Sequence, residues 1–441
     1  MIRIPFFIMN ERIESVIILE KVNTESGYSN ELINSVKNQD LNRNFIRELV
    51  YGVIENKILL DYILSTKLKR PNKKLPTKIQ EIFRISIFQI LFLDNVPKYA
   101  IVNEALEAAK YFKLDKYKNI LNAILRDIEK GDEEKYLKKI KDRNLRIQTE
   151  FSVSKDFYDI LSKDYSTKTL IKILNSYNSK QEFIIRINKL KSSIEDVKNI
   201  FERNNILFKE HPFLNNSLII ENPGEVFKLE YFKKGFYTVQ DGGSTLVSKV
   251  LNPKKNSRVL DLCAAPGSKT CHLSEIMENT GSILANDIHS KKLKKIQENI
   301  KRLGCKNIET VSFDASEYKE KYNGEFDYIL IDAPCSGSGI VSRKPEIKLY
   351  RTKEQIQELI TIQRKILENG FKYLKKGGSL VYSTCSIFSD ENENQVKWIL
   401  NNIENVNISK IDFRNKELDY IKLMPYEIGN NGFFMSKFTK K

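Results

Sequence analysis

Val259-Leu260-Asp261-Leu262-Cys263-Ala264-Ala265-Pro266-Gly267-Ser268-Lys269-Thr270 reads as a buried strand that stops at an acid, turns over small residues and enters a helix. In an open α/β sheet such a turn lies off the carboxyl ends of the strands, where ligands bind. Small residues matter there because backbone can approach a ligand only where side chains do not intervene. Many nucleotide binders share a strand followed by a small-residue turn, so the specificity has to come from its neighbours.

Those neighbours follow in order. Residues 282–287 form a second apolar run ending at Asp287, followed by a Lys- and Ile-rich helical segment over about 290–303. A third strand is predicted over 307–313, ending at Asp314. A fourth over 326–332 runs from Asp332 into Ala333-Pro334-Cys335-Ser336-Gly337-Ser338-Gly339, and a fifth over 379–383 runs into Thr384-Cys385-Ser386. Strands alternating with helical segments imply a parallel, doubly wound sheet. Five polar or reactive termini then fall along one edge: Asp261 with Cys263, Asp287, Asp314, Asp332 with Cys335, and Cys385. One strand-end acid reads as a cap; five in succession read as a site.

Upstream, residues 11 to about 150 carry helical periodicity: Phe45/Ile46, Leu49/Val50 and Val53/Ile54 recur at helical spacing, and Ile79, Ile82, Phe83, Ile85 and Ile87/Phe88 continue it. Pro71 and Pro76 break the two segments and Pro97 precedes the next. Lys67, Lys69, Arg70, Lys73, Lys74 and Lys78 crowd this Pro71–Pro76 connection, where a loop can set cations against phosphates; the plain alternative is a solvated basic loop. Between about 150 and 245 the signals are mixed: strand-like 183–188, helical 194–201 and strand-like 217–220. Near the end, Asn431-Gly432-Phe433-Phe434-Met435-Ser436-Lys437-Phe438 reads as an antiparallel closing strand. Phe433 is expected in the core, and Phe434 is the aromatic candidate near a substrate base.

Composition bounds the partners. With 441 residues the chain holds two or three domains. Lys plus Arg number 73 against 57 acids, giving a net charge of +16 and a pI near 9.3, which points to a polyanion such as nucleic acid. Five cysteines with no metal spacing argue against a disulfide framework or a metal site. Cys271 and Cys305 read as small, partly buried residues. No stretch approaches a membrane span, so a cytoplasmic, monomeric protein is expected.

The arrangement resembles the S-adenosylmethionine-dependent methyltransferases, and within them the RNA cytosine-C5 family of Sun/Nop2 type. The likeness rests on 263–270, Asp287, Asp314, the Asp-Ala-Pro-Cys-Ser-Gly run at 332–337 and the Ser-Thr-Cys-Ser run at 383–386. Two cysteines, after the fourth and fifth strands, are its discriminating feature. The N-terminal third is similar to the antitermination-factor (NusB-type) helical domain of one branch. That likeness is carried by Asn42-Arg43, Tyr51-Gly52-Val53, Pro97, Val102-Asn103-Glu104-Ala105 and 122–126. The resemblance therefore implies a multidomain chain. A NusB-like helical RNA-binding domain occupies 1–150, a small α/β RNA-recognition-like subdomain 151–245, and a Rossmann-like class I methyltransferase domain 246–441.

The family's chemistry explains the residue types. Carbon 5 of cytosine is a poor nucleophile until a thiolate adds at carbon 6 and breaks the aromaticity, which is covalent catalysis. Spacing leaves open which cysteine attacks. The resemblance assigns attack to Cys385, product release to Cys335 and the ring contact to Asp332, with Lys269 near the ring or the cofactor carboxylate. It implies that Cys263, Ala264, Ala265, Pro266, Gly267, Ser268, Lys269 and Asp332 line S-adenosylmethionine. Asp287 then holds the ribose hydroxyls and Asp314 faces the adenine amine. No metal is implied.

Two departures stand out. Ser268 replaces the second glycine usual in the family. The segment after Gly339 runs Ser342-Arg343-Lys344-Pro345-Glu346, leaving Arg343 and Lys344 to meet RNA, alongside Lys69, Arg70, Lys73 and Lys74. The helical domain points to a cytidine of 16S ribosomal RNA as the substrate. Transfer RNA is the runner-up, because the motifs do not encode the substrate. An RNA-binding assembly factor without activity is a reading from another class, and the intact cysteine pair argues against it.

Overall fold

The computed structural model describes residues 9–25, 29–68, 75–179, 182–427 and 431–441. It divides into two compact units. The first runs to Asp159 and takes in Lys344–Arg351; the second comprises Ile160–Arg343 and Thr352–Lys441.

The first unit is helical: α1 (Glu11–Glu25), α2 (Ser29–Asn34), α3 (Arg43–Lys67), α4 (Thr77–Phe92), α5 (Lys98–Tyr111), α6 (Lys118–Arg126), α7 (Asp132–Leu137) and α8 (Arg143–Glu150), with α9 (Lys155–Asp164) crossing its boundary. Asn42 caps α3 by accepting from Asn44 N and Phe45 N at 3.1 and 3.2 Å. The apolar stripe of α3, Ile46, Leu49, Val50 and Val53, is fully buried. Gly52 lies in that stripe because a Cβ there would sit 2.0 Å from the Phe88 ring of α4, so only glycine allows the two helices to meet. Every described residue of α4 from Glu81 to Leu91 is buried, which makes it the central helix. Its polar members are paired: Arg84 bonds Asp61 at 2.7 Å and also Glu81, and Gln89 accepts from Arg12 at 3.0 Å.

In the second unit α10 (Thr167–Tyr177) leads into β1 (Phe183–Ile187), α11 (Ile194–Arg203), β2 (Phe208–Glu210), β3 (Ser217–Ile220), α12 (Pro223–Val226), α13 (Glu230–Lys233) and β4 (Tyr237–Val239). These strands form an antiparallel sheet of order β2-β3-β1-β4. A Ser193/Asp196 capping box starts α11, whose Val197 and Phe201 bury against the sheet.

The larger sheet follows: α14 (Gly242–Leu251), β5 (Arg258–Asp261), α15 (Ser268–Ile276), β6 (Ser282–Asn286), α16 (Ser290–Leu303), β7 (Ile308–Val311), β8 (Phe326–Asp332), α17 (Ile347–Tyr350), α18 (Lys353–Tyr373), β9 (Leu374–Thr384), α19 (Glu393–Asn402), β10 (Val406–Ser409), β11 (Ile411–Phe413), β12 (Lys416–Leu418), β13 (Tyr420–Leu423) and β14 (Phe433–Lys440). Its order is β10-β14-β9-β8-β5-β6-β7, with β13 beside β14. Strands β5 to β9 are parallel and β14 is antiparallel to β9, as the closing strand was predicted to be. The chain builds outward from β5 to β7 and then returns to β8. The order therefore reverses between β5 and β8, the topological switch point where such sheets take ligands.

The short α17 belongs to the helical unit. There the Lys348 ammonium, 1 % exposed, donates to the carbonyls of Glu55 and Phe151 at 2.9 and 2.7 Å. Burial pushes its pKa down to about 8. Ser29 donates to Glu346 at 3.3 Å beside it. Among the described residues no helix is long and apolar enough to cross a membrane.

Candidate active site

The turn after β5 is held by its own acid. Asp261, 1 % exposed, accepts from Thr270 Oγ1 at 2.7 Å, tying the strand end to the first turn of α15. Burial pushes its pKa up to about 7, against the Thr270 bond and with a contribution from Asp332. Gly267, at φ +95°, caps α15, and a Cβ there would come within 3.2 Å of the Ile296 backbone. Glycine is therefore required for the turn to close on α16. Ser268, the departure from the family pattern, opens α15 half-buried.

Beyond this turn a cavity of about 260 Å³ is lined by Cys263, Ala265, Asp287, Asp314 and Asp332, all expected at a ligand site, together with Asn286, Ile288, His289, Lys292, Pro334, Ile362 and Ile366. Asp287 accepts Ala265 N at 3.2 Å and His289 N at 3.0 Å, so its carboxylate is fixed at the rim. Asp314 accepts both the backbone and the hydroxyl of Ser316, at 2.8 and 2.7 Å. Ala264, Pro266, Gly267, Ser268 and Lys269 do not line this cavity; they shape the turn behind it. Sequence reading missed Asn286, whose amide bonds the carbonyls of Leu262 and Phe313 and ties three strand ends together. It also missed the apolar wall. A signal was available in Ile288, a large apolar residue left 55 % exposed directly after a strand-end acid.

The ends of β8 and β9 lie side by side, with Asp332 opposite Ser383. That register places Cys335 Sγ 3.3 Å from Cys385 Sγ. Asp332 accepts from Lys269 Nζ at 2.6 Å and from Ser383 Oγ at 2.8 Å. Burial works against the charge of Lys269, but Asp332 outweighs it and leaves the ammonium pKa raised, with Asp241 and Cys385 adding to the effect. The three motif cysteines differ. Cys263 is pushed well up by burial and by Asp261, Asp332, Asp287 and Asp314, so it keeps its proton. Cys335 is pushed well up by its hydrogen bond with Cys385, then by burial, by the charge of Cys385 and by Glu391.

Glu391, which sequence reading did not single out, anchors the loop that carries Cys335. It is fully buried and accepts Ser336 N at 2.8 Å, Ser336 Oγ at 2.5 Å and Gln363 Nε2 at 3.0 Å. Ser386 joins Ser336 and Ser338 at 3.1 and 2.9 Å. Gly339 receives Gly432 N at 2.7 Å, and a Cβ at Gly339 would lie 2.2 Å from Gly432 O. Both cysteine loops are therefore immobilised by buried polar groups.

Phe433 of β14 is buried in the core, as expected. Alternation along the strand turns Phe434 into the core as well, fully buried opposite Thr384, so its ring is closed to a substrate base. Phe433 faces the other way and lies 5.4 Å beneath the Lys269 ammonium. Of the basic residues expected to meet RNA, Arg343 pairs with Asp241 at 3.5 Å. Lys344 lies within the helical unit. Lys69, Arg70, Lys73 and Lys74 fall outside the described residues. The flanking members of that cluster are already engaged, Lys67 with Asp127 and Lys78 with Glu20 at 3.6 Å.

Sheet order, switch-point cavity and strand-end acids together define a Rossmann-like methyltransferase domain. A family model described as 16S rRNA methyltransferase RsmB/F matches residues 248–439. The NusB family matches 9–130, and an RsmF/B-like ferredoxin-like domain matches 156–227. The chain is 32 % identical over 438 residues to the probable ribosomal RNA small subunit methyltransferase B of Bacillus subtilis, covering 96 % of this chain and 97 % of that one. It is 29 % identical to the ribosomal RNA small subunit methyltransferase B of Proteus mirabilis, over 91 % of each. A crystal structure of a methyltransferase homolog from Pyrococcus horikoshii superimposes with a TM-score of 0.56 at 28 % identity, covering 66 % of this chain and all of that one. The chain belongs to the ribosomal RNA small subunit methyltransferase B family.

Proposed function

We propose that the protein transfers a methyl group from S-adenosylmethionine to carbon 5 of a cytidine in 16S ribosomal RNA, through a covalent Cys385–C6 adduct. The observation that carries this reading is the pair of thiols 3.3 Å apart beside the Asp332–Lys269 ion pair. In this reading residues 246–441 do the chemistry. RNA is bound by the helical domain 1–150, through Lys69, Arg70, Lys73 and Lys74, by the small subdomain 151–245, and by Arg343 and Lys344 in the segment after Gly339, and the protein acts as a cytoplasmic monomer.

The switch-point cavity fits the cofactor. Its apolar wall of Ile288, Pro334, Ile362 and Ile366 suits a flat heterocycle, Asp287 at the rim suits a diol, and Asp314 suits an exocyclic amine. Once bound, S-adenosylmethionine supplies the electrophilic methyl carbon that carbon 5 captures.

The protein's own groups do the rest. Cys385 as thiolate bonds to carbon 6, and the ring's electrons move to carbon 5. Asp332, fixed by Lys269 and Ser383, holds the activated ring. After carbon 5 is methylated, the Cys335 thiolate takes the carbon 5 proton, the electrons of that C–H bond re-form the C5–C6 double bond, and the C6–S bond breaks to return the thiolate to Cys385. Cys335 is suited to this late step by timing. The hydrogen bond and charge of Cys385 help hold the Cys335 proton in place. When Cys385 becomes a thioether that charge is gone, and Cys335 gives up its proton more readily.

Methylation of 16S transcripts and of transfer RNA with labelled S-adenosylmethionine tests the proposal. Label is expected in 16S RNA as 5-methylcytidine; label only in transfer RNA, or at another atom, would overturn it.

A further inference from the structure

On the flank of α14, away from the cysteines, a second cavity of about 470 Å³ is lined by aromatic and cationic side chains. Phe213, from the loop between β2 and β3, and Phe413, from β11, present rings whose centroids are 6.3 Å apart. The Arg414 guanidinium lies over both, at 4.5 and 4.9 Å. Lys249, Lys410 and Lys437 complete the basic lining, with Asp412 the carboxylate among them.

These groups are not all engaged. Lys437 donates to the Val250 carbonyl at 3.0 Å, and Lys410 pairs with Asp419 at 2.8 Å. Among the described residues, Arg414 has only the two ring faces as partners, and Lys249 shows no hydrogen bond or ion pair. Phe213 is left 41 % exposed. Arg414 also occupies a costly position. It and Asn415 form the two-residue turn of the β11–β12 hairpin with φ +51° and +59°, a conformation that favours asparagine and glycine over arginine. An arginine there is better explained by its side chain than by its backbone.

We propose that Phe213, Phe413, Arg414 and Lys249 form a subsite for one or two nucleotides of single-stranded RNA flanking the target cytidine. A base stacks on the ring–guanidinium surface while phosphates meet the unpaired cations. Aromatic faces interleaved with cations are what sequence-tolerant single-strand binding requires, whereas cations alone would serve any polyanion. The distance is right for a flanking segment. At its first turn α14 holds Gly243 against Phe433, the ring beneath Lys269, and its far end lines the cavity. Along α14 the step from Gly243 to the lining residues Lys249 and Val250 is six or seven residues, roughly 10 Å. The subsite rests on the proposed RNA substrate.

The test compares the full-length protein with Phe213→Ala, Arg414→Gln and Lys249→Gln variants, using a 16S transcript as probe. Glutamine at 414 keeps a non-glycine residue in the turn, so the backbone cost is unchanged. Thermal melting confirms folding of each variant. Phe213→Ala is expected to raise KM and Kd roughly tenfold with kcat nearly unchanged. Each charge variant is expected to lower the log–log salt slope of binding by about 0.7. Unchanged Kd and slope in folded variants would overturn the subsite, even with the wild-type protein active on 16S RNA. A wild-type protein that binds 16S RNA without methylating it would fail the parent reading, while the Kd comparison still judges the cavity.

Discussion

The second unit contains two cysteine pairs, and their surroundings are opposite. Cys335 and Cys385 stand at the carboxyl edge of the sheet, half-buried, with Lys269, Asp332 and Glu391 within their electrostatic reach. Cys271 and Cys305 lie between α15 and the end of α16, 1 % and 8 % exposed, packed with Leu190, Ile300, Leu303 and Ile308. Cys305 Sγ reaches the Cys271 carbonyl at 3.9 Å, and a hydrogen bond between the two thiols raises the Cys271 pKa and lowers that of Cys305. Proximity of two sulfurs is therefore not what marks a reactive pair. A nearby cation does not mark it either, since Arg186 and Arg302 act on the inner pair; the marks are a polar network that fixes the loops and room for a substrate on one side.

The largest expected effect is at the edge pair. Cys385→Ala removes the proposed attacking group, and methyl transfer should fall to background with no protein–RNA adduct. Cys335→Ala should still add and methylate, then stall as an adduct that survives denaturing electrophoresis. A group needed first abolishes every later species; one needed last lets its precursor accumulate. Exchange of the two outcomes would reverse the roles.

A smaller effect is expected from the carboxylate on the same edge. Asp287→Ala should weaken S-adenosylmethionine binding by about 1.5–3 kcal/mol, the range for hydrogen bonds to a charged group. Calorimetry that finds near-normal affinity would move the ribose contact elsewhere.

The inner pair should respond in stability alone. Cys271→Ala or Cys305→Ala is expected to cost about 1–2 kcal/mol in urea unfolding and to leave kcat unchanged. A loss of activity at constant stability would end the contrast between the pairs.

The smallest expected effect is a pH shift. The charge of Glu391 is one cause of the raised Cys335 pKa. Glu391→Gln removes that charge, which favours the thiolate. The alkylation profile of Cys335, followed by peptide mass spectrometry, should therefore move to lower pH. A shift to higher pH, or none, would show that the hydrogen bond with Cys385 and burial control the thiol without Glu391.

Much of the catalytic unit was legible in the chain because its signals are local. A strand that runs into a turn of small residues depends on neighbours in sequence; 259–270, 326–339 and 379–386 each carry one, the first two with an acid at the strand end. The helical unit was legible through periodicity, with Gly52 as a local irregularity whose reason, the Phe88 ring, lies on another helix. Strands β10 to β13 were not foreseen: they are three or four residues long, too short for alternation to rise above background. The same holds for Glu391, an acid in a polar stretch until β9 folds it beneath Ser336.

By itself the sequence determined which residue types end each strand, the order of strands and helices, and the two motif cysteines. Tertiary structure alone decided which of these meet. Parallel pairing of β8 with β9 sets the 3.3 Å between sulfurs fifty residues apart, and strand alternation assigns Phe433, not Phe434, to Lys269. Pairing register and the side of the sheet a residue faces are long-range choices. They are fixed by the burial of whole faces rather than by any residue's neighbours in the chain.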